Sequence, residues 1–75
     1  MGNDKMLEIL LDVGSEVRRR RRLLQMSQGT LSKKADIPRS YLSLMETEGV
    51  NLSIISLHKL SKALDCRVVD LLCNH

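Results

Sequence analysis

The sequence predicts an all-α protein of five short helices, and three observations lead there. Apolar residues recur at spacings of three and four through most of the chain. No segment shows the strict alternation of a half-buried strand, and the breaks between periodic stretches carry helix caps and stops rather than hairpin turns. Seventy-five residues allow one domain with one modest core, expected to span 1–75. With one tyrosine, no tryptophan and no phenylalanine, that core has to be aliphatic.

The first helix is expected to start near Asp4, a suitable N-cap, and to reach about Leu24. Met6, Leu7, Leu10, Leu11, Val13 and Val17 supply its apolar positions, and Gly14-Ser15 marks a point where it can kink. Residues 4–13 would extend it ahead of the remaining helices. Ser27 caps a second helix over 28–35, with Leu31 and Ala35 on one stripe and Lys33 and Lys34 mostly off it. Asp36-Ile37-Pro38 interrupts the pattern. Proline disfavours helix at Ile37 yet suits the first turn of a new helix, so the third helix should begin near Pro38 or Arg39 and run over roughly 38–47. Leu42 and Met45 point inward, Ile37 packs under the turn, and Gly49 supplies the stop. Ser53 caps a fourth helix in which Ile54, Leu57, Leu60, Ser61 and Leu64 line one face. Asp65-Cys66-Arg67 is a short connection, and residues 68–72 form a last turn or two.

The segment from Ser27 to Glu46 is therefore a short helix, a tight break and a second short helix with a polar, partly basic outer face. That is the pattern of a helix-turn-helix, whose second helix is shaped to enter a DNA major groove. Arg39, Ser40, Tyr41, Ser43, Leu44 and Thr47 fall on the outer face or its edges. Arg39 suits either a paired contact to guanine O6 and N7 or a phosphate. Ser40 and Ser43 can donate or accept at base or backbone. Tyr41 suits a phosphate or packing on the preceding helix, and Leu44 a thymine methyl or packing.

With the motif in place, the chain resembles the phage-repressor/Cro-like (XRE-type) helix-turn-helix family over 13–72. Val17-Arg18, Arg21, Ser27-Gln28, Leu31, Tyr41-Leu42-Ser43 and Glu46 carry the resemblance, followed by Leu57, Leu60, Ala63-Leu64 and Leu71-Leu72. Within the family, Arg39-Ser40-Tyr41-Leu42-Ser43 and Asn51-Leu52-Ser53 are most similar to the small controller proteins of restriction–modification systems. The resemblance implies a compact five-helix, lambda-repressor-like DNA-binding domain with the motif at helices 2 and 3. It implies a phosphate contact for Gln28, at a helix end that favours anions, and a DNA-backbone contact for Tyr41. It also implies an ion pair between Arg21 and Glu46 that ties the first helix to the third. Arg20 departs from the family, which has an aliphatic residue there; either its stem is buried or Leu23 and Leu24 supply the packing. The glycine after the motif comes one place late, and Leu52 stands where a proline is common, so the loop over 47–52 departs as well.

A net charge of +3 and a pI near 9.2 favour an anionic partner. The arginines at 18–22 do not form one patch, because consecutive helical residues spread around the circumference. Further candidates for phosphate contact are Arg18, Arg19, Ser27, Lys33, Lys34 and Asn51.

The expected function is sequence-specific transcriptional regulation, with a homodimer bound to a two-fold-related operator in double-stranded DNA. One motif contacts few base pairs, so useful specificity requires a second copy about one helical turn away, ~34 Å. The resemblance implies autoregulation, control of a restriction–modification system, and RNA polymerase as a further partner. Ile55, Val68, Val69, Leu71 and Leu72 are apolar residues left over for the dimer interface. The alternatives are a phage or plasmid repressor, and an antitoxin-like or adaptor module that grips a protein and would use the amphipathic 6–13 segment. No nucleophile–base–acid set or phosphate-cradling glycine loop is present, so no enzymatic activity is expected. Cys66, Cys73, His58 and His75 match no compact ligand spacing, so no metal, cofactor or small-molecule ligand is expected. No apolar run reaches membrane-span length, and Asp4, Glu8 and Asp12 argue against a secretory signal. The expected location is the cytoplasm, of a prokaryotic cell by the resemblance.

Overall fold

Helices begin where a side chain can satisfy free N–H groups and end where the backbone can turn left-handed, and both devices recur along this chain. A computed structural model describes residues 2–72, with side chains from Lys5 onward. The expectations placed on Cys73 and His75 lie outside the described residues. Five helices follow in order: α1 (Gly2–Leu23), α2 (Gln28–Ala35), α3 (Arg39–Thr47), α4 (Ile54–Ala63) and α5 (Val68–Leu72). No strand occurs among the described residues.

Two starts use the same serine device. Ser27 Oγ accepts from the Thr30 N–H at 3.0 Å and donates to Thr30 Oγ1 at 3.0 Å. Ser53 Oγ accepts from the Ser56 N–H at 3.0 Å and donates to Ser56 Oγ at 3.1 Å. Ahead of α5, the Arg67 N–H donates to Asp70 Oδ2 at 2.9 Å, so a first-turn carboxylate reaches back to the residue before the helix. Three ends share a second device. Gln25, Asp36 and Asp65 adopt φ of 58°, 57° and 57°, and the next N–H bonds back across the last turn. These bonds run from Met26 to the Arg21 carbonyl, from Ile37 to that of Ser32 and from Cys66 to that of Ser61. Each closure satisfies a free carbonyl and turns Met26, Ile37 or Cys66 in against the core.

Several boundaries differ from expectation. Asp4 lies inside α1 rather than at its N-cap, and Leu24 follows the helix. Pro38 is the N-cap of α3 and Arg39 its first residue, one of the two expected starts. The helix runs unbroken through Gly14-Ser15. Gly14 is needed for packing: a Cβ there would lie 1.9 Å from the Met45 carbonyl oxygen. The absent side chain lets α1 cross the end of α3 at backbone distance. Gly49, with φ of 70°, lies against the Leu10–Leu11 backbone and ends the α3 turn beside α1.

One aliphatic core joins all five helices. Val13 and Val17 come from α1, Leu31 and Ala35 from α2, Leu42 and Met45 from α3, and Leu57, Leu60 and Ala63 from α4. Ile37 lies under the turn between α2 and α3, Leu64 closes α4, and Leu71 enters from α5. Two expectations are corrected. Ile54 is 68% exposed, because the first residue of α4 sits beyond the core stripe that begins at Leu57. Leu71 is fully buried, because α5 packs against both α1 and α4, so it is unavailable to a second chain.

The crossing at Gly14 generates a test. Gly14→Ala forces the α1 and α3 backbones apart and should destabilise the protein by ~3 kcal/mol, the upper range for overpacking, measured by urea unfolding.

Candidate nucleic-acid interface

A buried charge needs a partner and satisfied hydrogen bonds. Arg21 and Glu46, which the sequence resemblance pairs, meet in the interior between α1 and α3. Arg21 Nε donates to Glu46 Oε2 at 2.8 Å and Nη2 donates to Oε1 at 2.9 Å. The third donor, Nη1, reaches the Met26 carbonyl at 2.8 Å. Gln28 Nε2 adds a bond to Glu46 Oε1 at 3.2 Å. Hydrogen bonding to Glu46 raises the already high pKa of Arg21. No buried side-chain nitrogen or oxygen lacks a partner among the described residues. One polar knot thus connects α1, the turn into α2, the first residue of α2, and the inner face of α3.

With Leu42, Met45 and Glu46 turned inward, α3 presents its opposite side. Arg39, Ser40, Leu44 and Thr47 are exposed, and Ser43 and Tyr41 are half-buried. Arg39 has no ion pair or hydrogen bond of its side chain to the rest of the described chain. Pro38 offers no side-chain cap, so the first N–H groups of α3 are open beside that guanidinium. Two hydroxyls are already engaged. Thr47 Oγ1 donates to the Ser43 carbonyl at 2.9 Å, and the Tyr41 hydroxyl donates to the Asn51 carbonyl at 3.0 Å. These groups retain acceptor capacity, whereas the Ser40 and Ser43 hydroxyls remain able to donate. Leu44 is 45% exposed among these hydroxyls.

The remaining positions divide the same way. Gln28 uses one amide N–H on Glu46 and keeps the other. Ser27 is occupied as the α2 cap. Lys33 and Lys34 are exposed at the end of α2, Asn51 is exposed in the loop, and Arg18 is exposed on α1. Val68 is half-buried, while Ile55, Val69 and Leu72 are exposed.

Sequence reasoning missed Glu16. This residue is 6% exposed, and its carboxylate accepts from Arg19 Nε at 3.0 Å and Nη2 at 2.6 Å, and from Arg20 Nε at 2.8 Å. The spacings of three and four from Glu16 to Arg19 and Arg20 were the available signal. Arg20 is therefore accommodated by a half-buried stem with its head on Glu16, not by Leu23 and Leu24, which are exposed. Hydrogen bonds from Arg19 hold the Glu16 carboxyl below its usual range despite the opposing push of burial, with Arg20 adding to the effect. Among the described residues, no group of three or more His, Cys, Asp or Glu side chains could hold a metal. The half-buried Cys66 thiol is free, and burial raises its pKa.

A buried arginine–glutamate knot behind a short helix whose other face is polar, exposed and open at its N-terminus defines a helix-turn-helix DNA-binding domain. The helix-turn-helix family profile matches residues 17–71, and the chain belongs to that family of DNA-binding transcriptional regulators. Among solved structures it is similar to the restriction–modification controller protein C.AhdI from Aeromonas hydrophila. The identity is 32%, the TM-score is 0.79, and the match covers 83% of this chain and 94% of that one. It is also similar to SinR, the master regulator for biofilm formation, in a complex with DNA. There the identity is 35% and the TM-score 0.77, over 81% of this chain and 98% of that one. No curated protein matches significantly. No described helix is long and apolar enough to cross a membrane.

Two measurements follow. Glu46→Gln leaves Arg21 buried without a counter-charge and should cost about 3–5 kcal/mol in urea unfolding. The double variant Arg21→Met, Glu46→Leu should recover much of that loss, because a packed apolar pair removes the uncompensated charge. Glu16 contributes to acid sensitivity. Its folded pKa lies below its unfolded value, so its contribution is complete above roughly pH 4.3 and disappears as pH falls through the folded value. Thermal melts below that point should show Glu16→Gln with a shallower loss of stability than the native chain.

Proposed function

We propose that the protein is a sequence-specific transcriptional regulator that binds its operator as a homodimer, each copy placing α3 in the major groove. The observation that carries this reading is the division of α3. One side is held rigidly by Arg21–Glu46, Leu42 and Met45, and the other presents an unpaired arginine, free serine hydroxyls and an exposed leucine. Arg39 donates to guanine or grips a phosphate, Ser40 and Ser43 contact base or backbone, and Leu44 meets a thymine methyl. The remaining amide N–H of Gln28 contacts a phosphate, and Tyr41 does so by turning its hydroxyl proton from the Asn51 carbonyl to the DNA backbone. Thr47 accepts at the groove edge. Arg18, Lys33, Lys34 and Asn51 supply further backbone contacts. Arg19 and Ser27 hold their internal partners while adding less.

Dimerisation aligns two motifs with a two-fold operator through apolar residues outside the monomer core, Val69 and Leu72 on α5 with Val68 at the edge; Ile55, exposed on α4, is the alternative contact. The likeness to C.AhdI supports a controller role in which the protein regulates its own gene and a restriction–modification system in the cytoplasm, by occupancy rather than catalysis. Depending on operator position, the bound dimer blocks RNA polymerase or recruits it. The likeness to SinR supports the DNA contact itself.

The test is a titration of DNA from just upstream of the protein's own gene, against bulk competitor DNA at low and high salt. Tight, competitor-resistant binding is expected, weakening with salt by a log–log slope of about −0.9 per neutralised phosphate. Arg39→Ala should weaken specific binding by about 10- to 100-fold, the range of one lost base contact. Weak binding that competitor DNA abolishes at both salts would remove operator recognition from this surface.

A further inference from the structure

The core-facing stripe of α1 continues past the core. Val13 and Val17 are buried, and the same side of the helix runs upstream through Leu10 and Met6 at spacings of three and four. Leu10 is half-buried where its backbone meets Gly49. Beyond it the helix overhangs, and Met6, Leu7, Ile9 and Leu11 are 56%, 46%, 51% and 36% exposed. Lys5, Glu8 and Asp12 fall on the opposite side of the helix by their spacing, which leaves the overhang with a continuous apolar face. α5 packs beside α1, and its outward residues Val69 and Leu72 are each 46% exposed. The family match begins at Val17, so the overhang lies outside it.

We propose that the overhanging face of α1 is the docking surface for a second copy of this chain, the two extensions pairing about a two-fold axis with Val69 and Leu72 at the margin. Area argues for this occupant. The exposed parts of these six residues amount to roughly 500 Å², toward the top of the range for the largest apolar patch on a monomer. A two-fold contact uses the same patch on both copies. Self-pairing therefore removes at most on the order of 1,000 Å², which puts the contact at the threshold for a specific interface and makes the dimer concentration-dependent. The face consists of Leu, Ile, Met and Val, with no charged or hydrogen-bonding side chain to select a different protein. This inference deepens the proposed homodimer by assigning its surface to a segment outside the shared family fold.

Sedimentation velocity of the full chain without DNA, over a concentration series, tests it separately from operator binding. The native chain should convert from monomer to dimer within the series. Leu7→Glu with Ile9→Glu keeps good helix formers at both sites and should raise the midpoint concentration at least 100-fold. The milder Leu7→Ala with Ile9→Ala should raise it about 10-fold, with native helix content by circular dichroism in both variants. Ile55→Glu should move it less than threefold. The proposal is overturned if the native chain is monomeric throughout, if the α1 variants dimerise like the native chain, or if Ile55→Glu alone abolishes the dimer. Because DNA is absent, none of these results depends on whether the operator titration succeeds.

Discussion

The burial of one guanidinium organises this molecule. Arg21 cannot leave water without a carboxylate and further acceptors, and the chain supplies them from separate places: Glu46 on α3 and the Met26 carbonyl in the turn before α2. Glu46 in turn accepts from Gln28. The geometry of each contact fixes the others, because a fork of planar N–H donors tolerates little rotation. The relative placement of α2 and α3 therefore follows from a residue on α1. An aliphatic contact at the same site would hold the helices together with less control of their angle, since dispersion is not directional.

Around that knot, the cations fall into unlike classes despite their adjacency in sequence. Arg21 is internal, Arg19 and Arg20 are held by Glu16, and Arg18 and Arg22 are exposed. A run that looks uniform thus contributes to structure at one position, to local neutralisation at two, and to surface potential at the others. On α3 the division is sharper still, with Arg39 alone supplying positive charge to the outer face. The acidic Glu48 is also exposed at the end of this helix, so positive potential is concentrated near its N-terminus. That end also presents the uncapped N–H groups, so the helix dipole and side-chain charge reinforce each other.

Much of this was legible in the sequence where the signal was local. Ser27, Ser53 and the Asp36-Ile37-Pro38 break located helix starts to within a residue, because capping and proline geometry act over a single turn. The inward stripes of α2 and α3 and most of that of α4 followed from periodicity. The tertiary features were less legible. Gly14 reads as a flexible point, and only the approach of Met45 explains its lack of a side chain. Leu71 looks surplus until α5 is seen wedged between α1 and α4. Ile54 matches the α4 spacing but lies above the level at which other helices surround it. Glu16 was hidden by the conspicuous arginines that follow it. On α3, composition identified the outward residues but not the hydroxyls of Tyr41 and Thr47, whose protons depend on carbonyls positioned by the fold.

Tyr41 has an optical consequence. It is the one tyrosine of a chain without tryptophan or phenylalanine, and it stands on α3 with its hydroxyl donating to the Asn51 carbonyl in the following loop. All near-ultraviolet absorption and intrinsic emission from aromatic rings therefore originates at the edge of the recognition helix. Such a spectrum is normally a blurred average over a whole interior; here it is the signature of one ring and one hydrogen bond. Movement of the loop against α3 is thus visible without an attached dye, and so is repacking of the aliphatic residues on which the half-buried ring rests.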